Sequence, residues 1–62
     1  MSIRPAELEI EGIYALCWKD DPKVRIVRYQ GERNGFLIFT EPDGNTHHCR
    51  YESIIIRQCQ TD

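Results

Sequence analysis

The chain has 62 residues, of which 40% are hydrophobic and 29% are charged, and its formal net charge is −2. A chain of this length forms one domain and buries only about 60% of the surface that its unfolded form exposes, so its stability is marginal. The small net charge argues against strong, sequence-independent binding of nucleic acid, which draws on many phosphate contacts from clustered Lys and Arg. No apolar run approaches the ~20 residues of a membrane span, and "III" at residues 54–56 has the length of a strand.

The N-terminus and the cysteine count bear on the compartment. The stretch "MSIRPAELEI" lacks the apolar core of a signal peptide, which predicts a cytoplasmic protein without a membrane partner. The cysteines Cys17, Cys49 and Cys59 are odd in number, whereas small secreted domains usually carry an even set of disulfide partners. Reduced thiols in a cytosol fit this count better.

Alternation of apolar and polar residues predicts the first strand. In "ELEIEG" the acids alternate with two aliphatic residues, and the period of two continues through "IYALCWK", which places Tyr14, Leu16 and Trp18 on one face. A helix that begins at Pro5 is the alternative for "AELEIE". We prefer the strand, because no apolar residue recurs at helical spacing before Gly12.

Turn residues divide the rest of the chain. "KDDPK" predicts a turn, because aspartates can bond their own backbone and proline cannot continue a ladder. "VRIVRYQ" and "FLIFTE" have the β-branched and aromatic content of strands, and "GERNG" between them predicts a loop. "EPDGN" predicts a type I turn closed by a glycine bulge. "THHCRYESIIIRQ" is interpreted as a strand, an irregular step at residues 51–53 and a brief final strand.

These elements predict an all-β fold. Four to five short strands joined by tight turns indicate an antiparallel meander that closes into a small barrel, a single domain over residues 1–62 with flexible ends at 1–6 and 58–62. The irregular step before the last strand resembles the single-turn helix that precedes the closing strand of SH3-like and Tudor-like barrels. Gly44-Asn45 is similar to the Gly-Asn of Tudor domains, but the aromatic residue that precedes it there is missing here. The resemblance covers roughly residues 12–58, and it implies an SH3-like architecture without assigning binding residues.

A three-residue turn at positions 42–44 fixes the register of the hairpin around it. Four pairs of residues then lie opposite one another: Phe39 with His47, Ile38 with His48, Leu37 with Cys49, and Phe36 with Arg50. Because neighbouring strand residues alternate, these side chains divide between two faces. One face carries Leu37, Phe39, Cys49 and Tyr51, with His47 at its solvent-exposed end. The opposite face carries Phe36, Ile38, His48 and Arg50.

The run His47-His48-Cys49 raises the question of a metal site, since imidazole and thiolate are ligands that zinc prefers. His47 and Cys49 could share an ion with Cys17 or Cys59, whereas His48 points to the other face. No cysteine pair has CxxC spacing, so we interpret Cys17 and Cys49 as small core residues and predict no metal and no cofactor.

Catalysis is not expected from this chain. A Cys-His catalytic pair needs a cleft, an oxyanion hole and a third group that orients the base, which a barrel of this size rarely builds. The four glycines are scattered, so a glycine-rich phosphate loop is absent. We therefore predict a non-enzymatic protein without catalytic residues.

Aromatic residues and arginines indicate the working surface. The chain has one Trp, three Tyr and two Phe, more aromatic side chains than so small a core can bury completely. We predict recognition of a protein or peptide by a surface made of these residues: Phe36, Ile38, His48 and Arg50, extended by Arg25 and Arg28. An open strand edge is a second route, along which a peptide or a second copy could add a strand, and homodimerisation would bury aromatic surface.

Nucleic-acid binding is the alternative. Residues 23–33 hold four basic residues against one acid, and exposed aromatic residues beside them could stack on bases. The same aromatics beside acids could instead hold a cation. In the plainest interpretation, the arginines form only a solvated face that keeps the protein in solution.

Overall fold

The computed structural model describes residues 2–59 and consists of one antiparallel sheet with two single-turn 3-10 helices. The strands are β1 (Ile13–Trp18), β2 (Asp21–Arg33), β3 (Phe36–Thr40), β4 (Thr46–Cys49) and β5 (Ile54–Gln58). The 3-10 helices are Pro5–Glu7 and Tyr51–Ser53. The strand order across the sheet is β4-β3-β2-β1-β5, and every neighbouring pair is antiparallel, which confirms the predicted all-β class. Neither helical turn in residues 2–59 has the length and apolarity of a membrane span.

The prediction of a closed barrel is wrong. β4 and β5 are the two edges of the sheet, and no ladder joins them in residues 2–59. The outer edge of β5 is already used at Ile56, which accepts a hydrogen bond from the Ile3 amide (2.8 Å) and donates one to the Ser2 hydroxyl (2.9 Å). The sheet is nevertheless strongly curled. Trp18 of β1 and His47 of β4 are three positions apart in the strand order, yet their ring centroids are 5.3 Å apart.

The N-terminal segment forms no strand at "ELEIEG", contrary to our prediction. Pro5–Glu7 is a 3-10 helix with proline in its first turn, and the first strand begins only at Ile13. The amide of Glu9 donates a hydrogen bond to the Tyr14 hydroxyl (2.8 Å), and Glu11 has a positive φ of 69°. The segment therefore turns at residues 9–12 and meets the sheet only at its end, where the Glu11 amide donates to the Tyr29 carbonyl (2.7 Å).

β2 is longer than predicted, because it includes residues that we assigned to the connections before and after it. It has 13 residues, and two-residue turns at positions 19–20 and 34–35 join it to β1 and β3. Asn34 (φ 54°) and Gly35 (φ 83°) have the positive angles that such a tight turn requires. Gly31 (φ 119°) lies at a bulge, where the register shifts while the strand continues. The predicted "GERNG" loop is thus a strand end and a two-residue turn.

The β3–β4 hairpin confirms the predicted register and faces. The observed partners are Leu37 with Cys49, Ile38 with His48, and Phe39 with His47. The Glu41 amide donates to the Asn45 carbonyl (2.8 Å), and Gly44 has a φ of 97°, so the turn spans residues 42–44. Phe36 and Arg50 lie beyond the ladder, but they remain in contact: the guanidinium carbon of Arg50 is 5.2 Å from the Phe36 ring centroid.

The core lies on the inner face of the curled sheet. Its buried hydrophobic residues are Tyr14, Leu16, Val27, Tyr29, Leu37, Phe39, Cys49, Ile54 and Ile56. The predicted face of β1 is confirmed, with Tyr14 and Leu16 buried and Trp18 packed against the edge of the cluster. This arrangement leaves Trp18 half exposed at the open end of the sheet, where the candidate site lies.

Candidate functional site

The structure brings together three of the predicted surface residues. Phe36, His48 and Arg50 line an open cleft of about 510 Å³ at the end of β4. The rest of its lining is Trp18, Lys19, Asp20, Cys49, Glu52 and Ser53. Ile38 pairs with His48 and is half-buried, but it does not line the cleft.

Backbone hydrogen bonds fix the rim of this cleft. The Lys19 amide donates to the Ser53 carbonyl (3.0 Å), which joins the β1–β2 turn to the 3-10 helix Tyr51–Ser53. The Ser53 amide donates to the Arg50 carbonyl (3.0 Å) and continues the link to the end of β4. Trp18, the last residue of β1, and Phe36, the first residue of β3, supply the aromatic walls. The cleft is therefore preformed by main-chain contacts between distant segments.

A polar cluster lies on the other side of Trp18. His47 Nε2 is 2.7 Å from Glu41 Oε2, and the His47 ring meets the Trp18 ring edge-on. The guanidinium carbon of Arg25 is 5.1 Å from the Trp18 ring centroid, and Arg25 Nε is 3.9 Å from Glu41 Oε1. These four side chains are half-buried. Arg25 is thus engaged within the fold, separate from Phe36 and Arg50.

The other arginine of the predicted extension, Arg28, lies on the outer face of the sheet. Its Nη1 is 3.3 Å from Glu11 Oε1, and both side chains are more than half exposed. Arg25 and Arg28 therefore belong to opposite faces of β2. Tyr29, the aromatic residue of the basic segment, is buried against Phe39. Burial, followed by the charge of Glu32, raises the pKa of the Tyr29 hydroxyl. Arg25 and Arg28 accordingly do not share one basic patch, and the tyrosine between the basic residues is not exposed.

His47 and Cys49 share the inner face, as predicted, but the Nε2 atom of His47 is already hydrogen-bonded to the Glu41 carboxylate. Cys17, Cys49 and Cys59 carry no disulfide. Across residues 2–59, no group of three or more His, Cys, Asp and Glu side chains is placed to hold a metal ion. Cys49 is packed in the core, and its burial raises the pKa of the thiol.

We expect Cys49 to resist alkylation in the folded protein. It is only 3% exposed, whereas Cys17 and Cys59 are half-buried, and its raised pKa leaves less reactive thiolate at a given pH. Iodoacetamide at neutral pH should modify Cys17 and Cys59 first, and Cys49 only after urea unfolds the chain. Peptide mass spectrometry over a time course measures the three rates. Equal rates in the native protein would contradict the packing of Cys49.

The cleft also adjoins an unpaired strand edge. β4 pairs with β3 along one side, and no strand within residues 2–59 pairs with its other side. Because the amide and carbonyl of Phe39 and His47 face each other in the ladder, those of Thr46 and His48 point outward. An open edge, two aromatic side chains and charges of both signs thus occur side by side. Comparisons of the chain with protein-family models, curated proteins and solved structures find no match.

Proposed function

We propose that this protein is a non-enzymatic interaction module that recognises an extended peptide segment of another protein. The observation that carries the proposal is the junction of the open β4 edge with the cleft lined by Phe36, His48 and Arg50. The peptide backbone would pair with the outward amide and carbonyl of His48. One of its side chains would then enter the cleft between Trp18 and Phe36.

The physics of strand addition supports this mode of binding. Main-chain hydrogen bonds along an edge supply affinity for any extended segment, and a neighbouring pocket for alternate side chains supplies specificity. The cleft volume of about 510 Å³ lies in the range of ligand pockets, roughly 300–1,000 Å³. Trp, Phe and Arg are residue types enriched in interface cores. A large apolar or aromatic side chain is the occupant that best suits two aromatic walls.

The SH3-like architecture is part of the same proposal. The 3-10 helix Tyr51–Ser53 stands immediately before β5, where the resemblance requires a single helical turn. In this structure that turn also forms the lower rim of the cleft through Glu52 and Ser53. The element that carries the resemblance is thus an element of the proposed binding site, although the sheet remains open between β4 and β5.

Selection of displayed random peptides against the protein tests the proposal, because random libraries sample binding sequences whatever the natural partner is. A selected peptide should shift the amide signals of His48 and Arg50 and the indole signal of Trp18 in a 15N-labelled sample. Phe36→Ala should weaken its affinity about tenfold or more, the loss typical of an interface anchor.

Matched charge reversals give the control for this experiment. Arg50→Glu should also weaken binding, whereas Arg57→Glu changes an exposed arginine of β5 that does not line the cleft and should have little effect. The proposal fails if selected peptides shift signals away from the cleft. It also fails if Phe36→Ala and Arg50→Glu both bind normally while their circular dichroism matches the parent protein.

The same labelled sample tests the nucleic-acid alternative. Titration with a mixed single-stranded DNA and a matching RNA should leave residues 23–33 unchanged if the peptide proposal is correct. Shifts in that segment that disappear steeply with added salt would support nucleic-acid binding instead. We rank this alternative second because Arg25 and Arg28 lie on opposite faces of β2, each beside a carboxylate.

A further inference from the structure

The outer edge of β5 is covered by the segment that precedes the first 3-10 helix. We call residues 2–3 the strap. The Ile3 amide donates to the Ile56 carbonyl (2.8 Å), and the Ile56 amide donates to the Ser2 hydroxyl (2.9 Å). Ile3 also packs against the hydrophobic core. Because Ile56 is the middle residue of β5, the strap takes both main-chain groups that the strand presents at the centre of this edge.

The strap lies outside the ladder that holds β5 in the sheet. In an antiparallel ladder, the main-chain groups of successive residues point to alternate sides of the strand. Because those of Ile56 point to the strap, those of Ile55 and Arg57 point to β1, their partner strand. The strap can therefore leave the edge without breaking a hydrogen bond between β5 and β1. Two hydrogen bonds and the half-buried side chain of Ile3 hold it in place.

β5 itself has few of the features that prevent an edge strand from pairing with another strand. Exposed edges are protected by proline, by charged side chains, by a bulge or by a covering segment. The strand "IIIRQ" has no proline and one charged residue, and its register with β1 is regular. Its three consecutive isoleucines have a high β propensity. At this edge the strap is thus the main protection against pairing with a further strand.

We propose that the strap is a removable cover, and that its release lets β5 pair edge to edge with β5 of a second copy of this chain. A strand that pairs with its own copy does so antiparallel, about a two-fold axis. With the axis at Ile56, this residue exchanges both main-chain hydrogen bonds with its counterpart. The Gln58 amide of each copy then donates to the Ile54 carbonyl of the other. The two sheets become one continuous sheet.

The residues of β5 suit pairing with an identical strand in this register. Ile55 lies opposite Arg57 of the second copy, so the two arginines are diagonal neighbours and no like charges are directly opposite. The Ile54 amide stays bonded to the Tyr51 carbonyl, and the pairing does not require it. The strap shares no residue with the cleft beside β4, so this proposal is independent of peptide binding there.

Ile3→Pro tests the proposal, because it removes the amide that donates to Ile56 and leaves β5 unchanged. In sedimentation equilibrium the variant should approach twice 7.3 kDa at concentrations at which the parent protein is monomeric. Loss of a strap bond raises the fraction of molecules with an open edge, so the dimer dissociation constant should fall at least about tenfold. Ser2→Ala removes only the hydroxyl acceptor. It should act in the same direction more weakly, and it serves if Ile3→Pro fails to fold.

Two further proline variants provide the controls. Arg4→Pro makes the same kind of change next to the strap, where the φ of −76° suits proline, and it keeps both hydrogen bonds to Ile56. This variant should remain monomeric. By the alternation along β5, the Gln58 amide points outward like that of Ile56. Gln58→Pro, added to Ile3→Pro, therefore blocks the edge without breaking the ladder with β1 and should restore the monomer.

Hydrogen exchange in the parent protein measures the release of the strap. The Ile56 amide is bonded to Ser2, so it should exchange faster than the amides of Ile55 and Arg57, which bond to β1. Equal protection of the three amides would contradict a removable strap. An Ile3→Pro protein that keeps the circular dichroism of the parent and stays at 7.3 kDa up to millimolar concentration would overturn the proposal. So would a dimer that the added Gln58→Pro leaves intact, since its interface would lie away from the β5 edge.

Discussion

Phe39→Ala is expected to remove most of the stability of this protein, about 3–5 kcal/mol. Phe39 is fully buried in the centre of the inner face, and its ring lies 5.4 Å from that of Tyr29 on the neighbouring strand. Small domains have total stabilities of about 5 kcal/mol at the lower end of the usual range, so the loss of one large core ring is a large fraction of the total. The variant should be partly or fully unfolded at physiological temperature.

Phe36→Ala provides the matched comparison, since it makes the same change in the same strand. Phe36 is only half-buried and contacts Arg50 at the rim of the cleft, so we expect a loss of about 1 kcal/mol. Urea denaturation, followed by circular dichroism, gives both free energies of unfolding. Similar losses at positions 36 and 39 would contradict the assignment of inner and outer faces to β3.

The parts of the fold that the sequence predicted are those set by local chemistry. The turn "EPDGN" determines its own length through Gly44, and that length alone fixes the register from Leu37–Cys49 to Phe39–His47. The inner faces of β1 and β3 follow from the same alternation. A glycine with a positive φ and a period of two are properties of a few neighbouring residues, so they do not depend on distant segments.

The predictions of an N-terminal strand and of a closed barrel are wrong because contacts between distant segments determine the conformation there. The alternating "ELEIEG" segment does not form a strand, because the Tyr14 hydroxyl holds the Glu9 amide and Glu11 has a positive φ. Only Glu11 and Gly12 reach β2, where they exchange backbone hydrogen bonds with Tyr29. Closure of the barrel depends on whether β4 meets β5. The N-terminal residues Ser2 and Ile3 occupy the β5 edge at Ile56, a contact across more than fifty positions of the chain that periodicity cannot reveal.

The candidate site was predicted in part for the same reason. Phe36, His48 and Arg50 were placed together by the hairpin register, which is local. Trp18 and Glu41 were missed, because their importance depends on the curl that brings β1 to β4. Arg25 and Arg28 were grouped by their closeness in sequence, although their three-residue separation sends them to opposite faces of a strand. Because an odd separation places two strand residues on opposite faces, the sequence alone was enough to assign Arg25 and Arg28 to different surfaces.

Trp18→Ala is the second substitution with a large expected effect, because Trp18 contacts β4 in the curled sheet and also lines the cleft. Its ring contacts His47 of β4 and Arg25 of β2, and it also forms one wall of the cleft. A fully buried Trp→Ala change costs about 3–5 kcal/mol, and this ring is half-buried, so we expect a loss of about 2 kcal/mol in the free energy of unfolding. Binding of a selected peptide should weaken more than tenfold, since one of two aromatic walls is lost.

Trp18→Phe tests whether a smaller aromatic ring is enough at this position or whether the full indole is required. A phenyl ring keeps an aromatic face for Arg25 and an apolar edge for His47, so stability should fall by less than about 1.5 kcal/mol and most of the affinity should remain. Urea denaturation gives the stability, and titration of a labelled sample gives the affinity. If Trp18→Ala left the His47 signals and peptide affinity unchanged, the contact between β1 and β4 would not be what shapes the cleft. Suppose instead that Trp18→Ala changes the His47 signals and weakens peptide binding, while Trp18→Phe keeps both close to the parent protein. One aromatic side chain would then hold the open sheet in its curled form and thereby maintain the binding surface.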